Sequence, residues 1–349
     1  MHMHRSFHAF LPCVALLFAL GLAPVASAQQ TIPSEVITAA SIDAQQQQAI
    51  AGAVAPIAAK LDKGSDDDVA AARVEMMNLF ERARTLGGTP AFSAALSGEV
   101  ARALAGAMQT DRVICRLNAM LIAGQVQSPR VVPLLLSGLK DSAPAVRYAA
   151  AKSLYTLLTL NNGEPAANVF DADAYTGLIN GLGEAMSGAA NEALVREAFL
   201  ALAKIPVPDA RQKTLDILMR RAAMLQTTPD LTASLAGETD ALRTVVLFYA
   251  TQGDYSRARQ LAEAGLAYLV ISVRDLQTGK LDVNARKQRQ LLVQVGLTAA
   301  EFAAKEASSV TPLQTPEAAA EIERLKTTVK MSNWLEAQLH GQQLLDLVK

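Results

Sequence analysis

The chain has 349 residues, a formal charge of −1, 51% hydrophobic and 5% aromatic residues, two cysteines and four histidines. That length supports a large core and exceeds the usual single compact domain. Near-neutral charge without a long basic tract speaks against nucleic acid, whose phosphates need clustered Lys and Arg.

Residues 1–28 read as a signal peptide. Arg5 and three histidines precede the apolar run 9–25, and Ala26-Ser27-Ala28 forms a small-x-small cleavage site before Gln29. The run is broken by Pro12, Gly21 and Pro24 and falls short of the roughly 20 apolar residues of a bilayer span. The expected product is an exported chain, periplasmic or secreted, with no stable membrane insertion. Cleavage takes Arg5 with it and moves the formal charge from −1 to −2. It leaves one cysteine, Cys115, inside the apolar run 113–123, so no intrachain disulfide can form and the fold rests on packing. One histidine remains, His340. A zinc site built on several His or Cys ligands cannot be assembled from one of each, a Ser-His-Asp or Cys-His device would have to recruit His340 from the C-terminal helix, and no cofactor motif is present. Paired carboxylates stay possible because Asp and Glu are plentiful.

Segment 29–65 is expected to be an N-terminal segment with a capping helix over 34–61. Helices follow at 66–86, 90–108 and 111–125, the first opened by Ser65 ahead of Asp66-Asp67-Asp68. Carboxylates there suit the positive end of a helix dipole better than a calcium loop, since no glycine-containing ligand loop follows. Further helices are predicted at 129–140, 144–160, 172–186, 190–204, 208–226, 229–236, 239–252, 255–275, 282–307 and 317–347, with no convincing alternation of β-branched residues. The fold class is all-α. The basic cluster Lys280, Arg286, Lys287 and Arg289 reads as a solvated helix face.

Residues 129–158, PRVVPLLLSGLKDSAPAVRYAAAKSLYTLL, form two short apolar helices about a polar turn, with Pro133 eight residues before Asp141 and Asp141 five before Val146-Arg147. This spacing resembles the HEAT-repeat signature. The resemblance implies an Asp to Arg ladder between stacked units and an α-solenoid of antiparallel helix pairs over 66–226. Cys115-Arg116, 31 residues upstream of Val146-Arg147, and Val195-Arg196, 49 downstream, are weaker copies, the longer interval carrying the insertion 161–173.

In 241–269, Tyr249, Gly253, Asp254, Tyr255 and Ala258 resemble the centre of a tetratricopeptide hairpin, with Gly265 at a position that family keeps small. A tetratricopeptide-like region is therefore placed at 227–307, a linker at 308–316 and a C-terminal amphipathic helix at 317–349. That helix carries Ile322, Leu325, Val329, Leu335, Leu339 and Leu344 at three- and four-residue spacings. It is expected to dock on the solenoid or to pair with another chain, with Trp334 as a candidate partner-binding anchor. The functional expectation is an exported, non-catalytic scaffold of the bacterial envelope that binds a protein partner of unknown identity. The alternative is an envelope hydrolase built on a carboxylate pair.

Overall fold

The computed structural model of the chain describes residues 31–126, 128–159, 170–187, 191–230, 233–305 and 312–349. The expected signal segment, most of insertion 161–173 and residues 308–311 of the expected linker lie outside them. Among the described residues the regular structure is fifteen α-helices and two short 3-10 turns, with no strand. The helices are α1 (Ser34–Ile37), α2 (Ala44–Lys63), α3 (Asp66–Thr85), α4 (Pro90–Ala107), α5 (Val113–Ala123), α6 (Val132–Leu139), α7 (Pro144–Thr159) and α8 (Ala172–Met186). They continue as α9 (Glu192–Lys204), α10 (Pro208–Thr227), α11 (Ala236–Gln252), α12 (Ala258–Gln277), α13 (Val283–Lys305), α14 (Pro316–Lys330) and α15 (Trp334–Val348).

Through most of the chain a helix packs on its sequence neighbour and on the helix two places along. This pattern generates two rows. Helices α3, α5, α7, α9, α11 and α13 follow one another in the first; α6, α8, α10, α12 and α15 follow in the second. The result is an all-α, solenoid-like stack, and Ile32–Lys349 pack as one unit. Each helix buries a stripe toward its neighbours, as in α9, where Leu194, Val195, Ala198, Phe199, Ala201 and Leu202 are inside. By contrast α12 is buried on nearly every side, because α10, α13 and α15 all cover it. Gly265 and Gly296 make its seam with α13 close: a Cβ on Gly265 would stand 2.7 Å from the Ala299 Cβ, and one on Gly296 would meet the Gly265 carbonyl oxygen.

Capping chemistry sets the helix starts. Ser65 and Asp68 form a reciprocal capping box that opens α3, so the acidic triplet begins a helix as expected. Pro133 lies in the first turn of α6, where its missing N–H is harmless, after a 3-10 turn at Pro129–Val131.

Three expected helices are redrawn. The span 34–61 divides because Asp43 and Gln46 form a second capping box and restart the helix at Ala44. The described part of 229–235 is not helical. Leu235 adopts φ 57°, and the carbonyls of Asp230, Ala233 and Ser234 accept from the Arg289 guanidinium in place of a helical N–H. The span 317–347 is a hairpin of α14 and α15. Ser332 turns the chain at φ 54°, and the Asn333 side chain accepts from the Glu336 N–H. The described part of the expected linker is folded too, since Leu313 in the 3-10 turn Pro312–Gln314 is buried against α13, α14 and α15.

The basic cluster is also corrected. Lys280 and Lys287 are exposed and Arg286 is half-buried, but the Arg289 side chain has no exposed surface and pairs with Asp275 at 3.0 Å. Cys115 is a buried free thiol in α5.

Candidate functional site

The repeat positions come together around the turn between α6 and α7. Asp141 accepts two hydrogen bonds from Arg116 of α5, at 2.8 and 3.2 Å, and a third from the Ala143 N–H at 2.8 Å. Burial pushes the Asp141 carboxyl upward, but the Arg116 guanidinium, the Ala143 N–H and the nearby charge of Arg147 outweigh it and hold the group below the usual carboxylate range. Arg147 donates to the carbonyls of Asp141 and Ser142 at 2.7 and 2.9 Å. The rung between units is therefore Arg116 to Asp141, while Arg147 staples its own turn. Val146 is buried beside them.

In the second expected motif Gly253 ends α11 at φ 60°, Tyr249 and Ala258 are buried, and Tyr255 stacks on Phe302 of α13 with ring centroids 4.5 Å apart. These residues are structural. The tight helix pair here is α12 with α13; α11 leans mainly on α9 and α13.

The exposed chemistry lies along α11. Leu247 is 58% exposed, on a ridge between two open grooves. The groove toward α9, about 530 Å³, is lined by Leu200, Asp240, Arg243, Thr244, Leu247, Phe248 and Thr251. The groove toward α13, about 380 Å³, has Arg243, Val246 and Leu247 on one wall and Leu291, Gln294 and Val295 on the other. Arg211 of α10 backs the first groove, its guanidinium 5.3 Å from the Phe248 ring centroid and donating to the Ile205 carbonyl at 2.7 Å. Burial pulls that guanidinium below its usual value.

A third groove, about 720 Å³, separates α14 from α15 and gathers Glu317, Glu321, Arg324 and Asp346. Glu321 is committed to Arg324 at 2.9 Å and to the His340 ring. Trp334 is half-buried against the core, and its backbone carbonyl accepts from Gln277 of α12 at 2.9 Å. The large apolar side chains that α15 and the turn before it leave outside are Met331, Leu335, Leu339 and Leu347. The C-terminal helix thus docks through Gly341, Leu344, Leu345 and Val348, and Trp334 belongs to the docked side.

Sequence reasoning passed over Arg243 and Leu247. A lone leucine on a helix reads as core, and only the placement of α9 and α13 on either side of α11 leaves this one outside. Among the described residues no group of three or more His, Cys, Asp or Glu is placed to hold a metal, and no helix is long and apolar enough to cross a membrane.

These features define an all-α protein of solenoid-like, stacked-helix architecture. Residues 131–160 match the family model of the HEAT repeat, which covers α6, α7 and the Asp141 turn. No curated protein and no solved structure matches the chain.

Proposed function

We propose that the protein is an exported, non-catalytic scaffold of the bacterial cell envelope that binds a protein partner on its solenoid surface. The observation that carries this reading is the exposed Leu247 ridge with an apolar groove on each side, since stacked helix pairs offer extended surfaces for partners. A photoreactive phenylalanine analogue in place of Leu247 should trap one discrete protein adduct in intact cells. The same analogue at exposed Val74 of α3 should not. An identical pattern from both positions, or no adduct from either, would remove the α11 surface from consideration.

Export rests on Ala26-Ser27-Ala28. Mass spectrometry of the native protein should give an N-terminus at Gln29, in part cyclised to pyroglutamate. An intact Met1 in washed membranes would contradict cleavage.

A second reading, an envelope hydrolase, draws on the carboxylates of Glu317, Glu321 and Asp346 in the α14–α15 groove. Its test is hydrolysis of envelope glycan by purified protein, lost in Glu317→Gln. No release of product by the unaltered chain ends it.

A further inference from the structure

We infer that the α9–α11–α13 face takes an acidic amphipathic helix of a partner protein, its apolar side chains on Leu200, Leu247 and Leu291 and its carboxylates on Arg196, Arg243 and Lys287. This rests on the reading of the solenoid surface as a protein-binding one and adds the chemistry of the partner.

Three successive helices of one row repeat the same pair at a four-residue spacing: Arg196 and Leu200 on α9, Arg243 and Leu247 on α11, Lys287 and Leu291 on α13. Residues four apart share a helix face, so each cation stands on the ridge of its leucine. Lys204 extends the α9 ridge by one more turn. The Arg196 backbone packs against Gly237 of α11, six residues before Arg243, so the pairs of α9 and α11 are staggered along the row and make a cationic and apolar face without a straight edge. Arg196, Lys204, Arg243 and Lys287 have no ion-pair partner among the described residues. Some exposed cations elsewhere are matched, as in Arg84 with Glu81 and Lys140 with Glu184, and others, such as Lys63 and Lys152, are not matched among the described residues; what marks this face is that four unmatched cations stand on three neighbouring helices. The acidic groups on this face are Asp240, in the first groove, the half-buried Glu197, and Glu192, four residues before Arg196, which accepts from the Leu235 N–H. The balance is positive, on a chain whose formal charge is negative.

The grooves also select the conformation of the occupant. Their walls are helices, whose backbone N–H and C=O groups are already paired along each helix. The hydroxyl protons are committed as well: Thr244 donates to the Asp240 carbonyl at 2.7 Å, Thr251 to that of Leu247 at 2.9 Å and Thr298 to that of Gln294 at 3.0 Å, which leaves these hydroxyls only as acceptors. An extended peptide would find no ladder of backbone partners on these walls, only the scattered side chains of Asp240, Arg243 and Gln294 and the threonine oxygens. A helix brings its hydrogen bonds with it and asks only for apolar contact and charge.

The probe is a fluorescein-labelled peptide of about 16 residues, roughly the length of α11 at 1.5 Å per residue. Leucines at three- and four-residue spacings give it one apolar face, with Glu elsewhere. Fluorescence anisotropy with the full chain should give binding at least tenfold tighter than for a scrambled peptide of the same composition or for the Lys-for-Glu version. Arg243→Glu and Leu247→Asp should each weaken it tenfold or more, and raised salt should weaken it as well. Lys63→Glu, at an exposed site on α2, should change nothing. Both groove positions are exposed, and unchanged circular dichroism melting verifies that the variants are folded. Equal binding of amphipathic and scrambled peptides, or wild-type affinity in Arg243→Glu, would overturn the inference. So would Arg243-dependent binding to phosphatidylglycerol vesicles without peptide binding, which would make the face a lipid surface. A Leu247 adduct in cells without binding of the acidic peptide would sink this inference alone and leave the scaffold reading standing.

Discussion

Arg289→Ala is expected to lower the stability of the folded chain by about 3 to 5 kcal/mol, the usual cost of removing one partner from a buried ion pair. Arg289 lies on α13 with its side chain fully inside, and its guanidinium holds two elements at once. It donates to the Asp275 carboxylate of α12 at 3.0 Å, and to the carbonyls of Ala233, Ser234 and Asp230 at 2.8, 3.0 and 3.3 Å. Truncation leaves a carboxylate 2% exposed with Arg274 as its remaining ion-pair partner, and strips the non-helical connection before α11 of its donor. Arg289→Lys should recover only part of the loss, because a single ammonium cannot serve a carboxylate and three carbonyls in the geometry of a planar fork. Urea unfolding beside Lys287→Ala, an exposed cation two residues away, separates the burial effect from a change of charge. Limited proteolysis supplies a local readout: cleavage in 228–235 should appear early in Arg289→Ala and in no other variant. A midpoint equal to that of Lys287→Ala would mean that Arg289 does not clamp this connection.

What the amino-acid order reveals here depends on how far each cause lies along the chain. The HEAT unit is legible because its determinants are local: Pro133 in the first turn of α6, Asp141 in the connecting turn and Val146-Arg147 opening α7 fall within fifteen residues. The acidic start of α3 is legible for the same reason, with Ser65 and Asp68 three residues apart. The connection at 228–235 is not, since the group that takes its carbonyls is Arg289, 56 residues beyond Ala233. The same distance explains why Arg289 reads as one more solvated cation in a basic cluster. At Ser332 the signal was present, an Asn-capped restart ahead of Trp334, but continuous apolar spacing on both sides hid it. The α11 grooves were illegible in principle. Leucines at 200, 247 and 291 fit a buried stripe equally well, and their exposure follows from which helices of the row stand beside one another.

Asp141→Asn is expected to cost about 2 to 3 kcal/mol at neutral pH, in keeping with loss of charge-assisted hydrogen bonds. The side chains of Asp141 and Arg116 are 8% and 12% exposed, so neither is screened as a surface pair would be. Asn preserves the shape and can still accept from the Ala143 N–H, but it presents one oxygen to a guanidinium that now meets two. Arg147→Ala should cost less, about 1 kcal/mol, because its acceptors are two carbonyls in its own turn. Arg102→Ala should change little, because the Arg102 side chain is 73% exposed and Glu99 keeps the hydrogen bond it accepts from Gln47 of α2. The pH dependence follows from the direction of the Asp141 shift. Its carboxyl is more acidic in the fold than in the unfolded chain, where it titrates near about 3.9. The stabilisation is therefore fully present above that unfolded value and is lost as pH falls through the lower, folded one. Wild type and Asp141→Asn should accordingly differ most at neutral pH, begin to converge as pH falls below about 4, and meet only below the lower, folded value. Urea midpoints for both proteins across this range provide the measurement. A gap that stays constant down to pH 2 would show that the variant fails through packing and not through loss of the charge, and the Arg116–Asp141 rung would then have no electrostatic role in joining α5 to the HEAT unit.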